Sequence, residues 1–199
     1  MPTLRRFRLA LAPLAALALS ACGLNSIPTA EETAKARWAD VQNEYQRRAD
    51  LVPNLVATVK GYAKQEKDVL EGVTEARAKA TAINVSADQL TDPAKIQQVN
   101  QAQGQLSAAL GKLLSVTENY PDLKSNANFL ALQSQLEGTE NRITIARRDY
   151  NAAVQAYNTR IRTFPDAIGA KVFYQAKPMA TFQATTPNAQ TAPTVNFGG

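Results

Sequence analysis

One cysteine and no histidine set narrow limits on the chemistry this chain can perform. Without imidazole it lacks the commonest general base near neutral pH and the commonest metal ligand. A lone cysteine can form neither an internal disulfide nor a zinc site. Gly111-Lys112 runs into Leu113 and has Leu106 where a phosphate-binding loop needs its first glycine, so nucleotide hydrolysis of that type is excluded. The 17 Asp and Glu leave carboxylate-only hydrolysis conceivable. That reaction needs two carboxylates about 5–10 Å apart across a cleft, and neither the spacing nor the helical pattern described below supplies one. We therefore expect no catalytic residue, no metal and no cofactor, and a chain that is not an enzyme.

The one cysteine has a specific setting. Met1 to Ala21 carries Arg5, Arg6 and Arg8, then an apolar run from Leu9 to Leu19 and small residues, the layout of a secretory signal peptide spanning 1–21. The run is shorter than the roughly 20 residues a membrane-spanning helix needs. Leu19-Ser20-Ala21-Cys22 resembles the lipobox of bacterial lipoproteins, which implies cleavage before Cys22 and a diacylglycerol, commonly with a further palmitate-like acyl chain, on the new first residue. Two or more chains hold a protein on a bilayer where one does not. Cys22 is thus read as a lipid attachment site, followed by a lipidated tether over 22–30. Gly23, where inner-membrane retention commonly uses Asp, favours the outer membrane facing the periplasm if the cell has two membranes, and otherwise the outer face of the cell membrane. Removal of the three signal arginines leaves 19 Lys and Arg against 17 Asp and Glu, too even a balance for phosphate binding. Nucleic acid is not an expected partner.

The elements that position any site are helices. From Trp38 to Ile83 the series Trp38, Val41, Tyr45, Arg48, Val52, Leu55, Val59, Tyr62, Glu66, Val69, Val73, Ala76, Ala80, Ile83 steps by three and four, and 12 of its 14 members are apolar. Pro53 predicts a kink or short break in this long segment. Asp92-Pro93 is a cap followed by proline at the first helical position. It opens a second stripe through Ile96, Val99, Gln103, Leu106, Leu110, Leu113, Thr117 and Tyr120. Asn119-Tyr120-Pro121-Asp122 stops that helix. A third stripe runs from Phe129 through Leu136, Ile143, Tyr150 and Tyr157 to Phe164. The prediction is an all-α fold, an antiparallel bundle of three to four long helices over 31–174, with Trp38, Tyr45, Tyr62, Tyr150 and Tyr157 in its core. Residues 175–199, rich in Pro, Thr and Ala, read as a mostly disordered C-terminal tail. Within it, Pro193, Val195 and Phe197 form an alternating segment able to dock on the body.

Two blocks of sequence carry a resemblance. Arg47-Arg48-Ala49-Asp50-Leu51-Val52-Pro53-Asn54-Leu55-Val56, Lys60-Gly61-Tyr62, Glu66 and Ala76-Arg77 form the first. Asn119-Tyr120-Pro121, Asn128-Phe129, Glu140-Asn141-Arg142-Ile143, Ala146-Arg147, Tyr150-Asn151, Tyr157-Asn158 and Phe164-Pro165 form the second. Together they resemble the LemA family. The resemblance implies a helical bundle tethered to a membrane with an outward-facing body. It brings no agreed enzymatic activity with it. Such proteins commonly start with an uncleaved membrane helix, from which the lipobox here departs, and are often encoded near membrane metallopeptidases.

Arg48 and Glu66 interrupt the first apolar stripe, and Glu140 and Asn141 flank the third, so charge pairs between packed helices are expected. The motif positions Arg47, Arg48, Asp50, Pro53, Asn54, Lys60, Gly61, Tyr62, Glu66, Glu140, Asn141, Arg142, Tyr150, Asn151, Tyr157 and Asn158 are read as structural or as a partner surface. The function expected is a membrane-anchored, non-enzymatic scaffold or interaction protein of the cell envelope, forming homo-oligomers. An adaptor for an envelope protease, such as a membrane metallopeptidase, is the second reading.

Overall fold

A computed structural model describes residues 25–183. The signal segment 1–21, Cys22 and the segment 193–197 lie outside the described residues. Helices α1 (Ser26–Tyr62), α2 (Lys67–Ala82), α3 (Pro93–Thr117), α4 (Pro121–Lys124), α5 (Ala127–Arg160) and α6 (Asp166–Val172) follow in order, with a 3-10 turn at Ala87–Thr91. The predicted all-α bundle is the observed fold. No described helix is long and apolar enough to cross a membrane.

α1 and α5 form the longest pairing and run antiparallel. At one end the Ser26 hydroxyl donates to Asp166 Oδ2 at 2.6 Å, and at the other Asn126 Nδ2 donates to the Tyr62 hydroxyl at 2.9 Å. α2 doubles back along the second half of α1, and α3 reverses again beside α2. The Asp92 cap accepts from the Ala94 amide at 2.9 Å with Pro93 as the first helical residue, as the sequence predicts. Asn126 caps α5 in the same way, accepting from the amides of Asn128 and Phe129.

Four expectations about boundaries need correction. α1 begins at Ser26, so residues 26–30 are helical and not tether; Pro28 lies in the first turn, where its missing N–H leaves no bond unmade. α1 also runs through Pro53 without a break and stops at Tyr62, with the turn at 63–66 and Glu66 preceding α2. The break falls there because a straight continuation would carry Val69, Leu70 and Val73 away from every partner, whereas reversal packs them on Val52, Leu55 and Val59. The third long helix ends at Arg160, and α6 is a separate short helix. Last, residues 175–183 are not a free tail. Met179 and Phe182 are buried in the core, and the segment lies in a groove flanked by α3 and α5.

The continuity across Pro53 has a tertiary cause. Proline cannot donate to the carbonyl four residues earlier, that of Ala49, and Ala49 is buried. Arg77 on α2 donates from Nε to this oxygen at 2.7 Å. A side chain from the neighbouring helix thereby replaces the missing backbone donor. Arg77→Ala should destabilise the fold by about 1–3 kcal/mol, the range for a buried carbonyl left unpaired. In a Pro53→Ala background, where residue 53 regains its N–H, the same change should lose little. Denaturant unfolding of the four proteins measures this, and purely additive losses would refute the substitution of donors.

Candidate functional site

The core divides into two apolar clusters stacked along the bundle. One holds Trp38, Val41, Tyr45, Val99, Ile143, Tyr150 and Phe182; the other holds Val52, Leu55, Leu106, Leu110, Phe129 and Leu136. Between them, each of three helices contributes polar residues at one level: Arg48 from α1, Gln103 and Ser107 from α3, Glu140 from α5. Arg48 is 2% exposed. Its Nη1 donates to Ser107 Oγ at 2.7 Å and to Glu140 Oε1 at 2.8 Å. Its Nη2 donates to the Gln103 side-chain oxygen and, at 3.3 Å, to the Gln103 backbone carbonyl. The guanidinium also lies 5.5 Å from the centre of the Tyr45 ring. A planar fork with several fixed donors can tie three helices at one height. A helix slipped by one turn would strand the guanidinium in an apolar layer, so this arrangement sets register.

The expected interhelical charge pair is therefore Arg48 with Glu140. Glu66 sits elsewhere, at the far turn, where its Oε1 accepts from the Tyr120 hydroxyl at 2.8 Å. That hydrogen bond to a carboxylate holds the Tyr120 hydroxyl above its usual pKa.

The second construction surrounds the C-terminal strap, residues 175–183. Asn158 donates from Nδ2 to the Met179 carbonyl at 2.9 Å and accepts from the Met179 amide at 2.9 Å. Asn151 treats Phe182 identically, at 3.1 and 2.9 Å. Tyr157 and Tyr150 donate to the carbonyls of Lys177 and Ala180 at 3.1 and 2.8 Å. Two Tyr-Asn pairs seven residues apart thus clamp an extended segment as a neighbouring strand would. The spacing matches, since seven residues of helix rise about 10.5 Å and three of strand about 10 Å. From the other side, Asn100 donates to the Gln183 carbonyl at 3.0 Å, and the Ala180 amide donates to Leu90 at 2.8 Å. Arg147 donates to Asn100 and covers the Phe182 ring at 4.5 Å. The Phe182 ring stacks on Trp38 and meets Tyr150 edge-on. Burial raises the pKa of both clamp hydroxyls, keeping them protonated as donors.

Trp38, Tyr45, Tyr150 and Tyr157 are core residues as predicted, but Tyr62 is 44% exposed, a correction whose reason is that Val59 and Ala63, four residues apart, take the inward positions at the end of α1. Phe164 is likewise exposed. Arg47, Asp50, Asn54, Lys60 and Gly61 face outward along α1, and Asn141 and Arg142 outward on α5. A Cβ on Gly61 would meet nothing within 4 Å, so packing does not explain that glycine. Sequence reasoning missed Gln103, Asn100, Met179 and Phe182. Only Gln103 left a trace, as a polar interruption of the second stripe. A hollow of about 270 Å³ beside Trp38, Gln42 and Tyr45 has no carboxylate in its lining, and among the described residues no cluster of acidic residues or cysteine could hold a metal ion.

This constellation coincides with a recognised family pattern, whose model, that of the LemA family, matches residues 37–197. The chain belongs to the LemA family. The LemA match spans the polar layer, the Tyr-Asn clamp and the strap it holds. Among curated relatives, magnetosome protein MamQ 2 of Paramagnetospirillum magneticum is 27% identical over 186 residues, covering 82% of this chain and 68% of its own length. Magnetosome protein MamQ of Magnetospirillum gryphiswaldense is 26% identical over 157 residues, or 71% of this chain and 58% of the relative. Protein LemA of Metamycoplasma hominis is 29% identical over 121 residues, 61% and 51% respectively.

Proposed function

We propose that this LemA-family chain is a lipid-anchored, non-enzymatic scaffold of the bacterial cell envelope that self-assembles at the membrane surface. The observation that carries this reading is how the motif residues are used. Arg48, Glu140, Tyr150, Asn151, Tyr157 and Asn158 all bond to other parts of the same chain, which is the behaviour of a rigid module and not of a reactive site. What remains for partners is the outward set of Arg47, Asp50, Asn54, Lys60 and Gly61 on α1, with Asn141 and Arg142 on α5. The lipobox supports anchoring through Cys22, and Gly23 supports an outer-membrane destination in a two-membrane cell. The similarity to magnetosome proteins supports a role at a membrane-bound structure.

Purification of the lipidated protein beside a Cys22→Ser version, followed by light scattering and electron microscopy on liposomes, tests the reading. Ordered assemblies confined to the lipidated protein are expected. A monomer in both preparations would overturn self-assembly. The exposed set on α1 would then favour the adaptor reading, in which a membrane metallopeptidase or another envelope protein occupies it, and crosslinking in cells would identify that protein.

A further inference from the structure

The large apolar side chains left in solvent are concentrated in one stretch. Phe164, Ile168, Val172 and Phe173 are 82%, 59%, 65% and 68% exposed. Ile168 and Val172 are four residues apart on α6 and so share a face, with Phe164 and Phe173 flanking it. The opposite face is already committed: Ala170 is buried, and Asp166 accepts from Ser26 and pairs with Arg160 at 3.8 Å. Beyond α6 the chain turns at Gln175, whose φ is 46°, directly into the clamped strap. Held on both sides, α6 cannot rotate its apolar face into the core.

Its position in the bundle decides what could cover that face. The Ser26–Asp166 hydrogen bond sets α6 beside the first turn of α1, only four residues after Cys22. Four extended residues reach about 14 Å at most. The stretch 160–177 also carries Arg160, Arg162, Lys171 and Lys177 against Asp166 as its one acid. Exposed aromatic and branched apolar side chains bordered by cations are the composition of a surface that lies in a bilayer interface.

We infer that α6 and its flanks form a second membrane contact, with Phe164, Ile168, Val172 and Phe173 inserted among the acyl chains of an anionic phospholipid bilayer. The cations sit at the headgroups. This rests on the proposed anchoring at Cys22, which brings the patch to the lipid. An acyl chain alone would let the bundle swing on its leash. Anchor and α6 together make two contacts, so the bundle stands on the membrane by one end, with the turn near Leu130 pointing away.

Brominated-lipid quenching reads this directly. Trp38, the single tryptophan, is 3% exposed and provides a constant background. Phe173→Trp and Leu130→Trp are each introduced at exposed positions into the lipidated full chain. Each is reconstituted on vesicles of phosphatidylethanolamine and phosphatidylglycerol with brominated acyl chains. An insertion of about 5–10 Å should quench about half of the emission added at 173 and leave that at 130 unchanged. Emission at 173 as unquenched as at 130, in protein that floats with the vesicles, would overturn the inference. So would a blue shift at 173 that grows with protein concentration before lipid is added, because a second copy would then cover the patch. Intact mass separates the two proposals. Quenching at 173 in protein lacking acyl chains would sustain the membrane face while refuting the anchor, and protein that neither carries lipid nor floats would refute both.

Discussion

A chain ending at Lys177 should be less stable than the full chain by about 5 kcal/mol, since burying a side chain such as Met179 or Phe182 contributes about 1.5–3 kcal/mol each and the Asn151 and Asn158 amides lose their partners as well. Phe182→Ala alone should account for about 3–5 kcal/mol, the usual range for a buried aromatic. The ring touches Trp38 and Tyr150, and Arg147 rests on it, so its loss opens a hole among groups that cannot collapse together. Urea unfolding of both variants against the parent is the measurement. A truncated chain that unfolds at the parent's urea concentration would show that the strap is an ornament on a bundle complete without it.

Arg48→Ala is expected to destabilise by about 3 kcal/mol, the lower end for removal of one partner from a buried ionic network. The lower end applies because the Glu140 side chain is 40% exposed and can be hydrated when left alone. The loss falls mainly on Gln103, which is 8% exposed and surrenders donors to both its oxygens. Arg48→Lys should recover only part of this, because one ammonium cannot span Gln103, Ser107 and Glu140 together. Exchange of the charges, Arg48→Glu with Glu140→Arg, should not restore stability, since a carboxylate at 48 has nothing to donate to Gln103. Full recovery in the exchanged protein, measured by denaturant unfolding, would reduce the layer to a plain ion pair.

Much of this was legible in the residues. Arg48 declared itself as one of two charges inside a largely apolar stripe, and Glu140 lay beside the matching position on α5. Their partnership was not readable, because Glu66 interrupts the same stripe and is an equal candidate on spacing alone. The periodicity also ran through Glu66 without a change of phase, so it could not mark the turn at 63–66. Pro53, the obvious breaker, was overridden by Arg77, whose contribution depends on α2 having already folded back.

By itself the sequence determined that the body is helical, which faces of its helices are buried, and the cap at Asp92-Pro93. These depend on the order of side chains within a few turns, and Asp92-Pro93 and the apolar stripes act at that range. Only the tertiary structure decided the route of the strap and the membership of the polar layer. Residues 175–183 have no helical period and little apolar content beyond Met179 and Phe182, and so resemble a free tail when read alone. Their order comes from α5, where two Tyr-Asn pairs one helical heptad apart match the rise of three extended residues. That match is a relation between two segments, and neither contains it alone.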